Sequence, residues 1–99
     1  MMKKTEIFGY CVDLHTNKPF LKSYTGYRTE YCVVAKLSEH NWAVIDEESG
    51  LISVHSYRTR KEALENYPLF ERELTRVINE KYEEYEGICK KYQELKEEI

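Results

Sequence analysis

After Pro68 no further proline interrupts the chain to its last residue, Ile99, and the apolar residues of that stretch keep a helical spacing. Ile78, Tyr85, Tyr92 and Ile99 recur every seven positions, Ile88 and Leu95 follow Tyr85 and Tyr92 by three, and Leu74 stands one phase earlier. This spacing predicts a long amphipathic helix over residues 68–98 with a coiled-coil-like seam. At ~1.5 Å per residue such a helix is about 45 Å long, whereas strands of about six residues span only ~20 Å. A small sheet covers half of that length, and the other half needs cover from elsewhere. The seam residues Tyr82, Tyr85, Ile88, Tyr92 and Leu95 are therefore expected to meet a protein partner or a second copy, making a homodimer. Tyrosine at two core-like positions suits a tight two-stranded zipper poorly, which leaves packing onto the chain's own sheet or into a partner's groove as the alternatives. Gly87 weakens the second half by about 1 kcal/mol relative to alanine, so that half depends on packing or binding to stay ordered.

Upstream, residues 1–57 read as a sheet. Thr5 to Val12 carries β-branched and aromatic residues and predicts a first strand. Asp13 to Arg28 is rich in turn formers and reads as a loop, with one short strand around Phe20 to Tyr24. Three strand-like runs follow, at Glu30–Leu37, Asn41–Asp46 and Leu51–Tyr57. The link Asp46-Glu47-Glu48-Ser49-Gly50 has the chemistry of a hairpin turn, with Gly50 available for positive φ. Trp42 and Val44 alternate with Ala43 and Ile45, so both faces of that strand are apolar. Thr59-Arg60-Lys61-Glu62 reads as a capping box opening a short helix over residues 59–67. The expectation is a single α+β domain, residues 1–99: an antiparallel three- to four-stranded β-meander, a short capped helix and a long C-terminal amphipathic helix.

Composition excludes several classes. No apolar run approaches the ~20 residues that span a bilayer, and the two lysines near the N-terminus precede no apolar stretch, so neither a membrane span nor a signal peptide is expected. A cytoplasmic location follows. Three cysteines without close spacing (Cys11, Cys32, Cys89) make neither a disulfide framework nor a zinc knuckle. His15, His40 and His55 lack the pair spacing that orients two ligands at one ion, and no nucleophile elbow or glycine-rich turn before a helix is present. No metal, cofactor or catalytic residue is expected. The net charge of −3 is spread over both halves, and the basic stripe of a general nucleic-acid binder is not there. Nucleic acid is therefore not expected as a partner.

The most basic local feature surrounds the start of the short helix. Arg58, Arg60 and Lys61, with Arg28 placed near them, form a candidate anion site where free N–H groups favour a negative partner. This carries the alternative reading, a nucleic-acid or nucleotide-binding accessory domain. Nine tyrosines also supply stiff amphipathic area of the kind enriched at interfaces.

A meander, an aromatic strand and a helix opening Thr-Arg-Lys-Glu-Ala resemble the small AP2/integrase-type DNA-binding domains. Those domains carry Arg and Lys on the sheet face. Tyr31, Val33, Ala35, Leu37, Trp42 and Val44 stand there in this chain, with Lys36 almost alone, and no DNA-contacting residue carries over. In character, residues 42–63 are similar to small acidic proteins of phages and mobile elements, many of which occlude a host enzyme. That resemblance implies non-catalytic protein binding, sharpened to an inhibitor that occludes a host defence nuclease or another host protein.

Overall fold

The computed structural model describes residues 3–30 and 32–99. Met1 and Met2, at the start of the stretch in which no signal peptide is expected, and Tyr31, expected in a strand with an aromatic face, lie outside the described residues. Four strands, β1 (Lys4–Val12), β2 (Pro19–Arg28), β3 (Cys32–Ser38) and β4 (Asn41–Asp46), form an antiparallel meander in the spatial order β1-β2-β3-β4. Two helices follow, α1 (Arg60–Glu80) and α2 (Tyr82–Glu97). The chain is α+β, as the succession of strand and helix patterns predicts.

The expected loop at 13–28 is mostly strand. β1 pairs with β2 along its whole length, from Lys4 opposite Tyr27 to Val12 opposite Pro19. Pro19 is tolerated because it is the first residue of its strand, where no ladder donor is required. Gly26 is required by closeness: a Cβ there would run into the Val34 carbonyl of the neighbouring strand. The real turn is confined to the residues after Asp13, whose Oδ1 accepts from the His15 N–H at 2.8 Å and the Thr16 N–H at 3.3 Å. Asn17 provides the positive φ of 57° that brings the chain back.

The expected strand Leu51–Tyr57 makes only two isolated bridges, Ile52 with Ile45 and Tyr57 with Trp42. Ser53 explains the interruption. Its N–H still donates to the Val44 carbonyl at 2.8 Å, but its Oγ accepts from the Val44 N–H at 3.0 Å and donates to the His55 carbonyl at 2.7 Å, so a side chain takes the acceptor's place in the ladder. The backbone then bulges, and Val54 is left 93% exposed.

Two backbone hydrogen bonds link the outer strands through Gly50. The Tyr10 N–H of β1 donates to the Gly50 carbonyl at 2.7 Å, and the Gly50 N–H donates to the Asp46 carbonyl at the end of β4 at 2.8 Å. The outer strands are thereby drawn together. Ile7, Val33, Ala35 and Ile45 are buried on the inner side, with Tyr24 and Ile52 packed against them. Cys32, Val34 and Val44 face outward onto Ala63 of α1, flanked by Leu64, Tyr67 and Phe70. Each fully buried aliphatic side chain in these clusters contributes about 2 kcal/mol.

The helices divide at a different place from the one expected. Pro68 lies inside α1, on its exposed side, and its missing N–H weakens the helix there without ending it. The break comes at Lys81, with φ −135° and ψ 48°. A projecting helix of ~45 Å is therefore absent, and the described chain measures 33 × 29 × 25 Å. α2 turns back onto the sheet and buries Tyr85 and Tyr92. Gly50 makes this docking possible: its φ is +73°, and a Cβ at that position would strike the Tyr92 ring.

Candidate functional site

The outward face of the sheet extends beyond the part that α1 covers. Register decides which side chains meet there. Lys4 stands opposite Tyr27, Thr25 opposite Lys36, and Lys36 opposite Trp42. The start of α1 is tied beside them because Trp42 and Tyr57 exchange two backbone hydrogen bonds, at 2.6 and 2.7 Å. Thr59 caps the helix, its Oγ1 accepting from the Glu62 N–H at 3.1 Å. Glu62 reaches back as a capping box does, although its Oε2 accepts from the Arg58 N–H at 3.3 Å, one residue before the cap.

Together these elements bound a groove of about 770 Å3, lined by Lys4, Thr25, Tyr27, Lys36, Trp42, Thr59, Arg60, Lys61 and Leu64. That volume falls within the roughly 300–1,000 Å3 typical of ligand clefts. Tyr27 and Trp42 stack on its floor, with ring centroids 6.4 Å apart and planes inclined by 29°. The Arg60 guanidinium lies over the Tyr27 ring, its Cζ 4.4 Å from the centroid, in a cation–π contact that holds the cation at the groove wall. Four cationic side chains and no carboxylate line the groove. Among the described residues, the ion pairs join Arg28 with Glu47, Glu39 with His40, Glu86 with Lys90 and Glu94 with Lys91, and none involves a groove cation. In a chain of net charge −3 this is a local concentration of positive potential at a helix N-terminus, the arrangement that attracts anions.

Two of the four residues expected around an anion, Arg60 and Lys61, line this groove. Arg28 does not. It follows Tyr27 on the same strand and so points to the opposite face, where its Nε lies 3.1 Å from Glu47 Oε1. Arg58 precedes the cap and is exposed outside the lining. Sequence reading missed Lys4, Thr25 and Tyr27, because they enter through the pairing of β1 and β2. Lys36 and Trp42 do lie on the sheet face, whereas Val33 and Ala35, expected beside them, point to the inner cluster because side chains alternate along β3, and no sequence signal shows that α1 opens beside the pair.

The seam residues have separate fates. Tyr85 is 7% exposed, and its hydroxyl donates to Asp46 Oδ2 at 2.6 Å. Tyr92 is 2% exposed and donates to the Phe8 carbonyl at 2.5 Å. Ile88 and Leu95 are half-buried, and Tyr82 is exposed. Burial, followed by the nearby Asp46 carboxylate, pushes the Tyr85 phenol far up. Burial and the Asp46 and Glu47 charges push Tyr92 up to about 12. These two tyrosines work inside the fold.

The cysteines and histidines are scattered. Cys32 is buried beside Glu71, its Sγ 3.9 Å from Oε1, and burial followed by that carboxylate's charge pushes the thiol up to about 12. Among the described residues no three His, Cys, Asp or Glu side chains gather as a metal site would require. Among the described residues no helix is long and apolar enough to cross a membrane. Comparison with protein-family models, characterised proteins and solved structures found no match to this chain.

Proposed function

We propose that this chain is a non-catalytic binding domain that takes a short stretch of nucleic acid in the groove between the sheet and the start of α1. One observation carries the reading: Lys4, Lys36, Arg60 and Lys61 share a groove with the stacked Tyr27 and Trp42, and no carboxylate lines it. The cations suit phosphates, and the flat aromatic floor suits a base. The scale is small. Four phosphate contacts on a single strand predict log K falling with log salt at a slope of at most about −3. Fluorescence anisotropy of a labelled oligonucleotide across a salt series tests this. The reading expects binding at low salt that weakens steeply with added salt and is lost in Lys36→Glu/Arg60→Glu. Absence of salt-dependent binding, or identical binding by that variant, overturns it.

A second reading is favoured by a different surface. At the corner between α1 and α2, Val77 is 38% and Tyr82 58% exposed, and a tyrosine is among the side chains that most often anchor protein contacts. Docking of a protein there, or of a second copy, is the form in which the expected protein-binding and host-inhibitor role survives the inward turn of Tyr85 and Tyr92. Light scattering across a concentration series, with and without Tyr82→Lys, tests the self-association branch. A mass of one chain at every concentration removes it.

A further inference from the structure

Resting on the nucleic-acid reading, we propose that the groove selects single strands, by stacking one unpaired base on Trp42 while Lys36, Arg60 and Lys61 hold the flanking phosphates. Three observations converge on this mode. The first is the division of labour between the two rings. Tyr27 already carries the Arg60 guanidinium at 4.4 Å, whereas no cation–π contact of the described residues uses Trp42. Trp42 is only half-buried and forms part of the groove lining, so it is the ring available to a ligand.

The second observation is charge placement. Lys36 is Trp42's cross-strand partner, while Arg60 and Lys61 open α1 on another wall of the groove. Cations on separate walls around an aromatic floor match a backbone that carries a phosphate on each side of every base. An acidic peptide would satisfy the cations but has no regular flat group to set on the indole.

The third observation is size. A duplex buries its base faces in the stack and presents a rod with charges along its whole length. Four cations at one concave groove meet little of that rod, and the indole meets none of the bases. Stacking on an aromatic ring is open to every base because each has a π-face, so the mode predicts strand selectivity with little sequence preference.

Trp42 is the only tryptophan in the chain, so its emission reports on the groove alone. The experiment titrates the intact protein at low salt with a short oligothymidylate, an abasic oligomer of equal length and a hairpin duplex. Anisotropy reads affinity and Trp42 emission reads stacking. The expected result is quenching by oligothymidylate only, with affinity about tenfold above that of the abasic oligomer and above that of the duplex. Trp42→Leu should bring oligothymidylate down to the abasic level; the comparison of ligands on the unaltered protein decides the matter if that variant does not fold. Equal affinity for oligothymidylate and the abasic oligomer without quenching overturns base stacking while leaving phosphate binding intact. Duplex binding as tight as single-strand binding overturns the selectivity. Failure of all three ligands to bind overturns the underlying nucleic-acid reading as well.

Discussion

The Tyr85 hydroxyl donates to the Asp46 carboxylate at 2.6 Å, across 39 positions of sequence. Asp46 is only 5% exposed, and the same Oδ2 also accepts from the Ser49 hydroxyl at 2.6 Å and the Ser49 N–H at 3.2 Å. A carboxylate taken out of water needs such donors, and α2 supplies one of the three. The C-terminal helix is therefore held by a charge-assisted bond as well as by apolar packing.

Tyr85→Phe removes that donor while keeping the ring. The loss of a hydrogen bond to a charged group predicts destabilisation of about 1.5–3 kcal/mol, seen as a lower denaturation midpoint in urea at unchanged slope. Asp46→Ala should cost more, since it leaves the Tyr85 and Ser49 hydroxyls without their shared acceptor.

Alkaline pH should loosen the same contact. Tyr92 is raised to about 12 from the ordinary 10.0, and Tyr85 is raised further. Above pH 10 the unfolded chain loses these protons while the folded chain retains them, so the folded state binds more protons and stability falls as pH rises. Below that window these groups leave stability unchanged. Phenolate absorbance followed alongside circular dichroism should show Tyr85 and Tyr92 ionising together with loss of structure.

Two glycines should respond in opposite directions to alanine. At Gly87 a Cβ would meet nothing within 4 Å, so Gly87→Ala should stabilise α2 by about 1 kcal/mol. At Gly50 the positive φ of +73° and the Tyr92 ring both oppose a side chain, so Gly50→Ala should lower the melting temperature and free the end of α2. Thermal melts of both variants check the pair.

Cys32 should resist alkylation in the folded protein, since it is 1% exposed and its thiol is raised to about 12. The half-buried Cys11 and Cys89 should react first. Mass spectrometry after brief iodoacetamide treatment, with and without denaturant, should find Cys32 modified only in the second sample.

Legibility in the sequence followed local chemistry and stopped where distant residues decided. β1, β3 and β4 announce themselves through β-branched and aromatic side chains, and Thr59 announces the helix start. β2 is hidden because Pro19, Ser23, Thr25 and Gly26 are turn formers, and only pairing with β1 and β3 makes them strand. Leu51–Tyr57 has strand composition, yet the Ser53 side chain takes the acceptor's place in the ladder. The end of α1 at Lys81 carries no glycine or proline signal. The docking of Tyr85 on Asp46 and of Tyr92 on Gly50 gives that break its consequence. The groove divides the same way. Arg60 and Lys61 are readable from the cap, but Lys4 and Tyr27 join them only through a register that depends on β2.

The bond from Tyr92 to the Phe8 carbonyl closes a loop of 84 positions. Contacts of such separation form late, because closing long loops costs entropy before any contact repays it. On the ribosome the meander and α1 emerge first, with Asp46 and Gly50 still bare to solvent. α2, which follows them in the chain, is the element that covers them, so a nascent chain halted before Tyr85 presents a turn that the folded domain keeps covered.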